Sequence, residues 1–232
     1  MRPVSVPPLN RRTRSVGSEV AAHIEQMIVS GELSAGDRLP AERELASSLG
    51  VSRTSLREAM FELERKQLVV RHQGRGSIVA APPAAAAELF GGLSELDAEL
   101  GNAVELRDIV EPRIAQFAAL RAVESNLLSL SRVLDESDEQ LAVAESIRLD
   151  VEFHTLLAHA AQNPLLVALC AMTTSWTERT RELSHKTQLG RRISIQGHHA
   201  IYAAVASHDG AGACAAMEQH LRDVKEIGLR RL

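Results

Sequence analysis

Leu39-Pro40-Ala41-Glu42-Arg43-Glu44-Leu45-Ala46 and then, after a short gap, Val51-Ser52-Arg53-Thr54-Ser55-Leu56-Arg57-Glu58-Ala59 decide how the first third of this 232-residue chain folds. A proline near a helix start and acidic residues in the first turn mark a short helix. It stops at Leu49-Gly50. Ala46, Gly50 and Leu56 then fall at the spacing of a helix-turn-helix: a small residue where two helices touch, a glycine for the turn, and an aliphatic chain reaching back to the core. Ser52 is the expected N-cap of a second helix running to about Gln67, with Leu56, Ala59, Met60 and Leu63 facing inward. That register leaves Arg53, Thr54, Ser55 and Arg57 on the outer side of its first turns. A helix inserted N-terminus first presents such side chains to base edges, and the arginine fork matches the two acceptors of guanine.

Working outward, Val20, Ile24, Met27 and Ile28 follow helical spacing from Ser18 to near Gly31. On the other side, Leu68 to Val79 reads as two short strands joined by a Gly-x-Gly turn, the composition of a β-wing. Gly74 there lets the backbone approach a phosphate or a groove, and Arg75 adds charge. The competing reading is a solvated basic helix beside an ordinary hairpin. Four consecutive features in the required order favour DNA binding over it. Residues 1–14 hold Pro3, Pro7 and Pro8 with four arginines and no apolar periodicity, so a disordered basic arm is expected.

Ala81-Pro82-Pro83 and the alanines after it interrupt regular structure. The expected division is an arm at 1–14, a DNA-binding domain at 15–80, a linker at 81–87 and an all-helical domain at 88–232. Helical patterns in the last part run approximately over 86–97, 102–122, 124–139, 142–161, 164–188, 191–207 and 210–230. The fold class is mainly α: a winged helix-turn-helix with a small β-wing, then an antiparallel bundle of six or seven helices. Aromatics make up 3% of the chain, which favours helices packed through aliphatic side chains.

Net charge is −4, unevenly spread: residues 1–81 carry 12 Lys and Arg against 9 Asp and Glu, the remainder 14 against 21. Only the basic front half is suited to phosphate. Cys170 and Cys214 sit in apolar helical surroundings without metal-ligand spacing and read as buried free thiols. The N-terminus lacks the apolar core of a signal peptide, and no stretch is long enough to span a bilayer, so a cytoplasmic protein without membrane contact is expected.

In the second domain, Asp150 and His154 are four apart on one helix and project from one face, as a pair of metal ligands would. His198 shares a stripe with Ile201 and Val205, and His220 one with Met217 and Val224, so both imidazoles point into the core. His199, displaced by about a hundred degrees around the helix, is the poorer candidate. On spacing alone, each inward histidine reads more readily as a hydrogen-bonded core residue than as a metal ligand. His159, His185 and His208 receive no role, and Trp176 and Tyr202 read more readily as core or interface than as cavity lining.

The first two quoted segments resemble the GntR family of bacterial transcriptional regulators, and the likeness covers the whole first domain. It implies that Arg43, Arg53, Arg57 and the wing glycine Gly74 contact operator DNA, with two protomers reading a palindrome. Asp150-x-x-x-His154, His198 and His220, together with Glu105-Leu106-Arg107-Asp108-Ile109-Val110-Glu111-Pro112, resemble the FCD effector domain of the FadR-type branch. That resemblance implies a divalent metal, zinc foremost with nickel or manganese as alternatives, held by Asp150, His154, His198 and His220 inside the bundle. It further implies a small carboxylate metabolite as effector, and Arg107 is the candidate for an additional anion contact. The function expected is a dimeric, ligand-responsive regulator, a repressor by preference. A direct metal sensor is the nearer rival; a metal-dependent hydrolase is the remote one, because no HExxH-type motif supplies a general base.

Overall fold

The computed structural model describes residues 15–72, 76–81 and 100–229, with side chains to 227. In the N-terminal unit α1 spans Val16–Val29, α2 Glu42–Ser48 and α3 Arg53–Arg65, followed by β1 at Val69–His72 and β2 at Gly76–Val79. Ser52 caps α3 by accepting from the Ser55 N–H at 3.1 Å, and Gly50 makes the turn between α2 and α3 with φ +66°. Leu56, Ala59, Met60 and Leu63 are the buried face of α3. They meet Val20 and Ile24 of α1 and Val69 and Val79 of the strands in one hydrophobic cluster. The helix ends slightly before Gln67, because Gln67 takes φ +59° to turn the chain into β1. The strands pair antiparallel from Val69↔Val79 to His72↔Gly76. The arm at 1–14, the wing residues Gly74 and Arg75, most of the 81–87 linker and the expected helix at 86–97 lie outside the described residues.

Seven helices form the C-terminal bundle among the described residues: α4 Leu100–Arg121, α5 Glu124–Glu136, α6 Val143–Ala160, α7 Pro164–Trp176, α8 Glu178–His185, α9 Gln188–Ala206 and α10 Gly210–Leu229. Small side chains let them approach closely: Ala115, Ala118, Ala119, Ala158, Ala160 and Ala213 are fully buried around Ile114, Phe153, Leu157, Ile201 and Met217. A core built this way requires few aromatics. Two expected boundaries are corrected. The helix expected at 164–188 is two helices, broken at Thr177, whose φ of −103° and ψ of 16° leave the α region. The helix expected from 191 starts at Gln188, because the Thr187 hydroxyl caps it by accepting from the Gly190 N–H at 3.1 Å. Gly190 is obligatory there, since a Cβ would lie 1.8 Å from the Ser184 carbonyl oxygen.

The two units touch, with α1 packing on α3 within its own unit and on α5 and α6 of the bundle. No helix among the described residues is long and apolar enough to cross a membrane. Cys170 is buried, whereas Cys214, expected to be buried, is only half-buried because it lies on the outer side of α10 near Glu218. Burial pushes the Cys170 thiol up to about 12, so it is a packing residue rather than a thiolate ligand.

Candidate metal centre and nucleic-acid interface

Helical periodicity carries four side chains to one point in the bundle. Asp150 and His154 project from successive turns of α6, His198 from α9 and His220 from α10, all buried, with one ligand atom of each within 4.8 Å of the others. The rings of His198 and His220 are 4.7 Å apart, and those of His154 and His198 5.2 Å. His199 is exposed, as its displacement around α9 requires. Gly197 makes room for the cluster: a Cβ there would come within 2.4 Å of His220 Nδ1 and 3.0 Å of its Cβ. Gly197→Ala should therefore displace His220 and weaken zinc affinity by at least the roughly 10- to 100-fold seen when an orienting neighbour is removed, measured by calorimetric titration. Unchanged affinity would remove His220 from the ligand set.

The electrostatics of the group suit a cation. Burial alone would raise the Asp150 carboxyl, but the close approach of His185, His198, His154 and the Arg181 guanidinium outweighs it and holds it well below the carboxylate range. Burial lowers His198 to about 4, and burial plus the neighbouring histidines lowers His220 well below the usual imidazole value. Both rings are thus neutral near pH 7 and keep a lone pair to give. Neither nitrogen of His220 has a hydrogen-bond partner. His198 Nε2 lies 3.3 Å from Asp150 Oδ1 without the alignment of a hydrogen bond. Buried polar atoms left without partners cost stability, so their convergence on an ionised carboxylate fits a divalent cation. One carboxylate and three imidazoles match the donor preferences of zinc, nickel or manganese.

Around these four lies a layer that helical spacing does not point to. Arg181 of α8 donates from Nε to Asp150 Oδ2 at 2.8 Å, and the Ser194 hydroxyl donates to Oδ1 at 3.1 Å. One carboxylate oxygen is thereby tied to a guanidinium while the other faces the histidines. His185, given no role from sequence, places Nε2 at 3.3 Å from Asp150 Oδ1, with its Nδ1 2.9 Å from the Ser146 hydroxyl. Glu111 sits 3.0 Å from His154 Nδ1 and accepts from Arg107 Nε at 2.8 Å. Glu111 Oε2 makes no aligned hydrogen bond to that ring but sets a carboxylate behind it, while His154 Nε2 faces Asp150 Oδ1 at 4.0 Å. Arg107 is itself buried at the site, with Nη2 3.4 Å from His154 Nε2. Arg181 Nη2 is buried without a partner.

On the opposite end of the chain, Arg43, Arg53, Thr54 and Arg57 are exposed and Ser55 half-buried, with the last four in the first turns of α3. Arg57 is tethered: its Nε donates to Glu42 Oε2 at 3.0 Å, and Arg71 of β1 lies 3.8 Å from the other oxygen of Glu42. Arg71 and Arg38 are further cations of this face, beyond those expected from the motif. Arg38 reaches the wing, its Nε being 3.6 Å from where a Gly76 Cβ would stand. Val70, Arg71 and His72 are all exposed after the buried Val69, so β1 does not alternate and no strand periodicity points to Arg71.

Comparison with known proteins bears on both regions. Residues 17–79 match the family described as "Bacterial regulatory proteins, gntR family", and residues 102–223 match the FCD domain. The chain is 34% identical over 225 residues to the HTH-type transcriptional repressor NanR of Cronobacter sakazakii, covering 94% of this chain and 86% of that protein. It is 33% identical to the Uxu operon transcriptional regulator of Escherichia coli, covering 90% and 84%. A solved GntR structure from Streptococcus agalactiae aligns with 90% of this chain and 99% of its own at 24% identity, with a TM-score of 0.48. The relatives are named as regulators of transcription, not as enzymes. This chain belongs to the GntR family of bacterial regulatory proteins, in the branch that carries an FCD domain.

Proposed function

We propose that the chain is a cytoplasmic transcriptional repressor that binds palindromic operator DNA as a homodimer and is controlled by a small organic acid at a metal site in its FCD domain. The observation that carries the control site is the convergence of Asp150, His154, His198 and His220 with three buried ring nitrogens that lack partners. These four residues would hold the ion, with Arg181, Ser194, His185 and Glu111 orienting them. When bound there, zinc, nickel or manganese supplies positive charge and open coordination positions for a carboxylate. Arg107 and the unpartnered Nη2 of Arg181 offer the same anion hydrogen-bond donors from inside the protein.

On the DNA side, Arg53, Thr54, Ser55 and Arg57 would meet base edges, while Arg43 on α2 and Gly74 and Arg75 of the wing would meet the backbone and adjacent groove. The word repressor in the names of the NanR relatives supports the sign of regulation. Two-fold symmetry follows from the need to present two α3 helices to adjacent turns of the major groove.

The test is binding of the full chain to the DNA directly upstream of its own gene, with zinc held constant and a panel of carboxylic acids varied. Release by one acid, abolished in Arg107→Gln, is the expected result. A response to zinc alone, with every acid inert, would replace the organic-acid reading with direct metal sensing.

A further inference from the structure

Glu25 and Lys66 form an ion pair with both side chains fully buried, Nζ to Oε2 at 2.9 Å. Both belong to the DNA-binding domain: Glu25 lies on α1, and Lys66 is the C-cap of α3, the helix that carries Arg53 and Arg57. What buries them is the FCD domain. From α5, the Ser125 hydroxyl accepts from Lys66, Asn126 Nδ2 donates to Glu25 Oε1 at 3.3 Å, and the Ser129 hydroxyl donates to Oε2 at 3.4 Å. Ser125 also donates to Glu62 of α3, whose carboxylate is 3.5 Å from the same ammonium.

One residue further along α1, the Gln26 amide donates to Glu152 of α6, whose other oxygen is held by Arg148 at 2.5 Å. Glu152 lies on α6 two residues from Asp150 and two from His154, which ties α1 to the helix that carries both. The seam therefore touches the end of α3 on one side and the helix of the metal centre on the other.

Its polarity decides what it can do. Taking an ion pair out of water costs desolvation that mutual attraction and good hydrogen bonds only about offset. Separated, the same groups are hydrated at little loss. A seam of aliphatic side chains would instead favour the docked form strongly, because undocking would expose apolar area. Here the ion pair and the α5 groups bond one another, Gln26 Oε1 is buried without a partner, and Val29 of α1 adds an apolar contact to the bundle, so docking is close to balanced and a small bias tips it.

We propose that the Glu25–Lys66 pair and the α5 groups around it form a latch that docks the DNA-binding domain on the FCD domain, with Gln26–Glu152 as its link to the metal centre. This rests on the regulatory reading above. The latch sets where the end of α3 is held, and through linkage the state of the seam and the occupancy of the centre bias each other.

Three variants of the full chain test it, each read by hydrogen exchange of α1 and α5 peptides and by binding to the upstream DNA, with and without zinc. Asn126→Asp sets a second carboxylate against Glu25 and should unlatch the seam, speeding exchange at least ten-fold. Lys66→Met combined with Glu25→Leu replaces the pair by apolar contact and should lock it, slowing exchange, ending the zinc response and moving DNA affinity opposite to Asn126→Asp. Gln26→Ala should leave the seam docked and abolish the effect of zinc on exchange. Equal exchange in all variants, or DNA affinity moving the same way in the opened and locked forms, would overturn the latch. Wild-type protein that fails to bind the DNA would sink the regulatory reading instead. The exchange data then decide the latch alone: zinc must change α1 and α5 protection in wild type and not in the locked form.

Discussion

Asp150→Asn is expected to destroy zinc binding and destabilise the bundle at once, whereas His220→Leu should destroy zinc binding and stabilise the metal-free protein. The two residues occupy the same cluster with opposite local accounts. Asp150 neutralises the buried Arg181 through the 2.8 Å contact and receives the Ser194 hydroxyl. Asparagine keeps the shape without the charge, leaving Arg181 buried beside Arg107 with less compensation. Removing one partner of a buried pair costs roughly 3–5 kcal/mol. His220 makes no hydrogen bond with either ring nitrogen. An unsatisfied buried polar group costs about 1–3 kcal/mol, and leucine fills a similar volume with none, so a gain of about 1–2 kcal/mol is expected. Chemical denaturation in the presence of a chelator measures both, and calorimetric titration with zinc measures the metal. Equal destabilisation by the two substitutions would mean that His220 is held in the metal-free fold by contacts as strong as those of Asp150, and the reading of an unpartnered ring poised for a metal would fail.

That contrast also explains which parts of the site are legible in the sequence. Asp150, His154, His198 and His220 are legible because helical spacing alone decides which face a residue occupies, and each sits on a stripe with aliphatic neighbours. The inner face of α3 and its Ser52 cap are legible for the same local reason. Arg181 and His185 are not. Their helix, α8, is set off from α7 at Thr177, where neither glycine nor proline marks a break. Arg181 spans the break, its Nη1 donating to the Thr177 hydroxyl at 2.7 Å and to the Thr174 carbonyl at 3.3 Å, while its Nε reaches Asp150 of α6 at 2.8 Å, a contact that no local pattern encodes. Glu111 is within reach, four residues from Arg107, but spacing cannot say that such a pair is buried instead of solvated. The Glu25–Lys66 seam joins residues 41 apart to others a further 59 along the chain, and no local pattern encodes it.

Arg53→Ala and Arg57→Ala should each weaken operator binding by about 1–3 kcal/mol, the worth of one good base contact, or on the order of ten- to a hundred-fold, and more when both half-sites of a dimer are affected. Fold stability should move by no more than about 0.5 kcal/mol, because both side chains are exposed and neither fills the core. The two arginines differ in one respect that the measurement can use. Arg57 is already oriented by Glu42, and Arg71 shares that carboxylate. Glu42 thus holds a guanidinium in place, and on the proposed DNA-binding face it would set a negative charge towards the phosphates. Glu42→Gln should raise affinity for all sequences while loosening discrimination, whereas Arg53→Ala should relax the sequence preference itself. Binding to operator and to scrambled DNA across a salt series separates these outcomes, since removing a phosphate contact lowers the salt slope by about one and removing a base contact does not. Operator affinity that survives both arginine substitutions would mean that the outer face of α3 is not the surface that reads DNA.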